Sequence, residues 1–216
     1  MSTLKSPFGQ RGWYPTSPQK LQQIMNKSKI HSSLSAHISA IICPHAGYAY
    51  CGDIIGKTIS LSMNQKIDHV IIIGPSHYVS LPNKIIAPSA TNYQSELGLS
   101  KVNHDFFSSL TTPIDYNDDI HANEHSIWMM MPFIHHYHPN ATISPFIIGN
   151  LTRDTVRNLA NDLAQHITDT TLVVISSDFT HYGQSFDYVP FTNNIPNNIY
   201  TLDHTAIDFI SRHDAD

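Results

Sequence analysis

Charge is scarce in this chain. Asp, Glu, Lys and Arg together make up 13% of its 216 residues, about half the usual share for a globular domain. Positive charge is scarcer still. Twelve Lys and Arg stand against 17 Asp and Glu, a net charge of −5 with histidine neutral, and no local run of Lys or Arg reverses the balance. Such a chain has no basic footprint for nucleic acid or an anionic lipid surface. Cysteine is nearly absent: Cys43 and Cys51 alone do not make a disulfide framework. No stretch approaches the roughly 18 apolar residues of a membrane span. The amino-terminal MSTLKSPFGQRGWYP has no apolar core of a signal peptide. These absences point to a cytoplasmic, reducing location.

What is present is apolar residue and histidine. Hydrophobic residues make up 41% of the chain, enough for a sizeable core, and the length suits a single α/β domain over residues 1–216. The 15 histidines outnumber the 12 Lys and Arg. Histidine is the commonest metal ligand and the usual acid–base side chain near neutral pH, so position rather than number decides what they do.

Residues 1–16 read as a loop. Ser17-Pro18 then opens a helix over 18–26, with Ser17 as N-cap and Pro18 at the first helical position. Short apolar runs follow at 38–43, 70–73, 143–148 and 172–175. Their β-branched residues and lack of alternation predict strands buried on both faces, as in parallel sheets. Pro145 assigns the third run to a sheet edge. Helical patterns lie between, at 52–63, 126–137 and 153–167, the last with Val156, Leu159, Leu163 and Ile167 at helical spacing. A polar-aromatic loop at 187–198 precedes a final helix at 200–212. The alternation predicts an α/β fold: a mainly parallel or mixed central sheet flanked by helices.

Three of the strands end alike. Ile41-Ile42-Cys43 runs into Pro44-His45-Ala46-Gly47-Tyr48. The run at 70–73 leads to Gly74-Pro75-Ser76-His77. The run at 172–175 leads to Ser176-Ser177-Asp178-Phe179-Thr180-His181-Tyr182-Gly183. In open α/β sheets ligands bind beyond the carboxyl ends of the strands, so His45, His77, Asp178 and His181 are expected at one sheet edge. Two imidazoles and a carboxylate match the non-haem iron triad, and the same set suits zinc, copper or manganese. Glu124-His125-Ser126 stands at a helix N-terminus, where His125 is a candidate acid, base or donor to a ligand. Blander readings stand beside these. Cys51 reads as a packed apolar residue. His135, His136 and His138 read as surface residues at a helix end, where the dipole favours them. Trp13 and Tyr14 either line the cleft or pin the N-terminal loop.

The chain resembles the MEMO family, named for mediators of receptor-tyrosine-kinase-driven cell motility in animals. The resemblance rests on Gly12-Trp13-Tyr14, Pro44-His45-Ala46-Gly47-Tyr48, Tyr50-Cys51-Gly52 and Gly74-Pro75-Ser76-His77. It continues in Glu124-His125-Ser126-Ile127, Pro132-Phe133 and the segment from Ser176 to Gly183, in family order across nearly the whole chain. It implies a fold similar to class III extradiol dioxygenases and a cleft binding iron or copper through two His and a Cys. His45 and His77 match the two His. Asp178, His181 and His125 match further polar cleft residues, assigned here to catalysis. Trp13, Tyr48, Tyr50, Ser76 and Tyr182 are expected to line the cleft. Family members usually continue well past the point where this chain stops, and the ligand Cys lies in that part. Trp128 replaces the Glu that usually follows the His-Ser-Ile piece, exchanging a carboxylate near the cleft for a large aromatic.

Three classes of function follow. The leading one is a metal- or ligand-binding protein with iron- or copper-dependent redox activity. The second is an oxygenase that cleaves a catechol-like ring. The third is a binding module for a peptide or small molecule, walled by Trp13, Tyr48, Tyr50 and Tyr182. A zinc hydrolase ranks below these, because the chain has no HExxH motif.

Overall fold

The computed structural model describes residues 2–30 and 36–214. In chain order the elements are β1 (Thr3–Lys5), α1 (Pro18–Ser28), β2 (Ala40–Cys43), α2 (Tyr48–Ser60), β3 (His69–Pro75), β4 (Ile85–Ala87), β5 (Asn92–Ser95) and β6 (Gly98–Lys101). Then come α3 (His104–Ser109), β7 (Asp115–Tyr116), α4 (Asp118–Asn123), α5 (His125–Trp128), α6 (Met131–Tyr137), β8 (Thr142–Ile148), α7 (Arg153–Ala164) and β9 (Thr171–Ser176). A short 3-10 turn (Gln184–Phe186) precedes α8 (Ile195–Ser211). The chain divides into two compact units, Met1–Ser177 and Asp178–Asp216.

The first unit holds a six-stranded sheet in the order β2-β9-β3-β8-β4-β7. β2, β9, β3 and β8 are parallel, and β4 runs antiparallel to β8. The apolar runs dictate this order. β3 buries Val70, Ile71 and Ile72 completely, and β9 buries Leu172 and Val174. A strand covered on both faces belongs in the interior of a sheet with helices on either side. β2 alternates exposed and buried residues, and it lies at the edge. α1, α2 and α6 pack against one another, contributing Leu21, Met25, Ile55, Ile59 and Phe133 to the core. Each fully buried aliphatic chain of this kind is worth roughly 1.5–3 kcal/mol.

Several expectations change. The strand with Pro145 is interior, between β3 and β4. Ile143 accepts from the Asn103 N–H on the side away from β3, and Pro145, two residues on, turns its nitrogen to that same side. There the ladder has a gap, because β4 pairs only from Ile147 onward. A proline is tolerated where no donor is required. The first 16 residues are not all loop: β1 joins the hairpin β5–β6 in a second, three-stranded sheet. The helix expected at 126–137 is two. Pro132 sits in the first turn of α6, and its ring would collide with a carbonyl four residues back in a continuous helix. α7 stops at Ala164, leaving Val156 and Ile167 exposed while Leu159 and Leu163 are buried.

In the second unit α8 begins at Ile195, five residues before the expected start, with a proline in its first turn. The Thr180 N–H and hydroxyl both donate to Asp203 Oδ1, at 3.1 and 2.6 Å, tying the preceding loop to α8. Among the described residues no helix is long and apolar enough to cross a membrane.

The core is also rich in neutral histidine. His135 and His138, expected at the surface, are buried, each on one serine hydroxyl: His135 Nδ1 on Ser95 Oγ at 2.6 Å, His138 Nε2 on Ser62 Oγ at 2.8 Å. His121 meets Tyr93 Oη at 2.6 Å, and His69 meets Ser144 Oγ at 2.8 Å. Burial lowers all four from 6.5 to about 4. Between those values the unfolded chain takes up protons that the folded chain refuses. Stability is therefore full above pH 6.5 and is lost as pH falls through about 4. The urea midpoint should fall steadily between pH 7 and pH 4.5, and His138→Gln should reduce the proton uptake on unfolding by about one. A midpoint constant across that window would show that these histidines are not held neutral.

Candidate metal centre

β2 and β3 run parallel with β9 between them, so their carboxyl ends open on the same edge. His45 leaves β2 on a loop tied from both sides. The Tyr48 N–H donates to Trp13 O at 2.8 Å, and Cys51 Sγ to Ala46 O at 2.9 Å. His77 leaves β3 just after Gly74, and a Cβ at Gly74 would stand 2.6 Å from Ser126 Oγ. Glycine there admits α5 to the strand end, where Ser126 Oγ donates to Pro75 O at 2.8 Å. That approach delivers His125. His45, His77 and His125 form one cluster whose ligand nitrogens lie within 4.8 Å of one another and which could hold a metal ion. The ring centroids are 4.2 Å apart for His77 and His125, 5.0 Å for His45 and His77, and 5.3 Å for His45 and His125. His45 and His125 are buried and His77 is exposed, so an added molecule reaches the cluster from the His77 side.

The hydrogen bonds set the proton on each ring. The Ser176 hydroxyl spends its proton on Ser126 O at 2.5 Å, so at 2.9 Å it accepts from His45 Nδ1. Glu124 Oε1 lies 2.9 Å from His77 Nδ1 and 3.3 Å from His125 Nδ1. A carboxylate only accepts, so these two rings also carry their proton on Nδ1. In their neutral form the three rings then carry the lone pair on Nε2, the tautomer in which protein acceptors fix ligating imidazoles. Burial by itself would raise the Glu124 carboxyl. Hydrogen bonds from His77 Nδ1–H, the His77 N–H (2.7 Å) and the Ser126 N–H (3.1 Å) outweigh it and hold the group below its ordinary range. Three neutral imidazoles suit zinc, copper, iron or nickel.

Trp13 stacks obliquely on His125 with centroids 4.6 Å apart, and Phe8 lies edge-on to Trp13 at 5.7 Å. Trp13 therefore both walls the cluster and pins the N-terminal loop. Tyr48 is buried, with its hydroxyl on Met129 O at 2.8 Å. Tyr50 is 89% exposed, and Ser76 Oγ donates to Val79 O at 2.7 Å. Asp178, His181 and Tyr182 lie in the second unit. There Asp178 Oδ2 is 3.4 Å from His181 Nε2, His181 Nδ1 donates to Phe179 O at 3.1 Å, and Tyr182 stacks on Phe191 at 5.2 Å. Trp128 is fully buried: its Nε1–H donates to His121 O at 2.8 Å and its ring lies 4.6 Å from Tyr93. The aromatic that the resemblance sets in place of a carboxylate is a core residue here. Sequence reasoning placed Glu124 at a helix start and Ser176 at a strand end without assigning either a partner, and it missed Tyr78. The acid at a helix start signals a cap, and Glu124 does accept from the Ser126 N–H. Its reach across to His77 has no local signature.

A family model described as Memo-like protein matches residues 9–216. The MEMO1 family protein MHO1 of Saccharomyces cerevisiae is 30% identical over 206 residues, covering 84% of this chain and 60% of that protein. The protein memo-1 homolog of Caenorhabditis elegans is 33% identical over 169 residues, covering 74% of this chain and 47% of that protein. Protein MEMO1 of Xenopus laevis is 28% identical over 217 residues, covering 94% and 72%. The chain thus spans about half to three fifths of the length of the yeast and nematode relatives.

Long-range proton–nitrogen NMR spectra of the metal-free chain should show Nδ1–H tautomers for His45, His77 and His125. Glu124→Gln should return His77 and His125 to a mixture and leave His45 unchanged. An Nε2–H tautomer at His77 in the unaltered chain would refute the assignment of Glu124.

Proposed function

The chain belongs to the Memo-like protein family, and from that membership and the geometry at β2 and β3 we propose that it is a metal-binding member, with His45, His77 and His125 as the protein ligands of one iron or copper ion. The observation that supports this most directly is the closeness of the three rings, whose ligand nitrogens lie within 4.8 Å of one another, with Ser176 and Glu124 meeting Nδ1 of His45 and His77. The donor set fits: three imidazoles complete a facial set and leave positions for added ligands.

When bound, the ion would supply Lewis acidity and one-electron redox chemistry. The chain's own residues do the rest. Glu124 holds two of the rings in register, and its negative charge raises their basicity. Trp13 and Phe8 shield His125 from water on one side. His77 leaves the other side open. Asp178 and His181, expected from the sequence to act in proton transfer, form a pair of their own 3.4 Å apart within the second unit. A redox role fits this set better than ring cleavage, since His125 stands where a carboxylate ligand would complete the two-His iron triad.

Dialysis against Cu(II), Fe(II) and Zn(II), with metal content measured by mass spectrometry, tests the reading. One equivalent per chain is expected in the unaltered protein and none in His45→Ala/His77→Ala, with copper the tightest divalent ion of the three. Glu124→Gln should retain the site and weaken it about 10- to 100-fold. Sub-stoichiometric binding in the unaltered chain, or binding that survives the double substitution, would sink the proposal.

A further inference from the structure

The phenol that completes the cluster has a second face. Tyr78 Oη lies 3.1 Å from His125 Nδ1. Because the Glu124 carboxylate stands 3.3 Å from the same nitrogen, the proton belongs on Nδ1, and Tyr78 is the acceptor of this hydrogen bond. Its own O–H must then turn elsewhere. Tyr78 is 57% exposed and lines a cleft of about 250 Å³ together with Ser76, Asn117, Asp119, Asn123 and Glu124. Most of the other polar groups there are engaged within the protein. Ser76 Oγ donates to Val79 O at 2.7 Å, Asn123 Nδ2 to Asp119 O at 3.0 Å, and Asn123 Oδ1 accepts from Arg11 at 3.2 Å. Asn117 Oδ1 accepts the Ile120 N–H at 3.0 Å, which leaves its amide NH2 as a second donor beside Tyr78.

We infer that this cleft is a binding site for a small uncharged carbonyl compound, with the Tyr78 hydroxyl as its principal donor. Two donors lining one space call for an acceptor oxygen, which has two lone pairs to offer. The carboxylates of Asp119 and Glu124 border the cleft, while Arg11 is drawn to Asn123 and lies over the Phe8 ring at 5.1 Å. The local field therefore disfavours an anion. Val79 and Ile120 supply the apolar wall that orients such a ligand. The inference rests on the candidate centre for its position beside His125 but not on a bound ion, since Glu124 sets the proton in the metal-free chain.

Acetamide and acetate, equal in size and different in charge, separate the possibilities. Saturation-transfer NMR on the chelator-treated protein should show acetamide binding to the unaltered chain, at least fivefold weaker binding to Tyr78→Phe, and weaker binding of acetate than of acetamide. Tyr78→Phe should keep the thermal midpoint, the side chain being half exposed. Equal acetamide binding by both proteins, or none by either, would overturn the site. Tighter binding of acetate would overturn the ligand class. Because no metal is present, these results stand whether or not the metal titration succeeds.

Discussion

One buried carboxylate organises this molecule's chemistry. Glu124 is 2% exposed at its side chain and meets the His77 ring, the His77 backbone, the His125 ring and the Ser126 N–H. A carboxylate removed from water is tolerated only where hydrogen bonds replace its hydration. Here those bonds come from the residues that must be oriented. The group therefore caps α5, closes the turn after β3 and sets the proton position on two of three clustered imidazoles. Removing it would leave the His77 ring N–H facing no acceptor, the His125 ring with Tyr78 alone, and a helix start without its cap, so its structural and chemical roles cannot be separated.

The sheet makes that carboxylate useful. β9 between β2 and β3 sets the spacing at which His45 and His77 face one another, and Ser176 at the end of β9 supplies the acceptor for His45. The Ser176 hydroxyl reaches Ser126 O in turn, so strand end and helix start form one hydrogen-bonded chain. The small β1-β5-β6 sheet contributes from a distance. It anchors residues 3–5, and the loop that follows lays Trp13 on His125. Hydrogen bonds in a protected setting of this kind reinforce one another, which rigidifies the three rings.

The family match covers nearly all of this chain, while the chain covers about half to three fifths of the yeast and nematode relatives. Within that shared part Trp128, where the resemblance implies a carboxylate, is informative. It fills the core between Tyr93 and His121, and the carboxylate at the cluster is Glu124, four residues earlier. The second unit keeps its own internal order through Asp203, which holds Thr180.

What the amino-acid sequence determined by itself was local and periodic. The β-branched runs at 70–73 and 172–175 specify buried strands because no amphipathic alternative can hide them. Ser17-Pro18 specifies a helix start, and the Pro/Gly loops after two strands specify where His45 and His77 leave the sheet. These follow from hydrophobicity and backbone sterics within a few residues. What only the tertiary structure decided depends on groups far apart in the chain. Pro145 could sit in the interior because the neighbouring strand leaves a gap opposite its nitrogen. His135 and His138 could be buried because Ser95 and Ser62 wait for them. His125, rather than a carboxylate, joined His45 and His77, and Glu124, 47 residues from His77, came to serve both His77 and His125. Burial and hydrogen-bond partnership are properties of the packed chain, set by which surfaces meet once the strands have paired, and no local pattern encodes them.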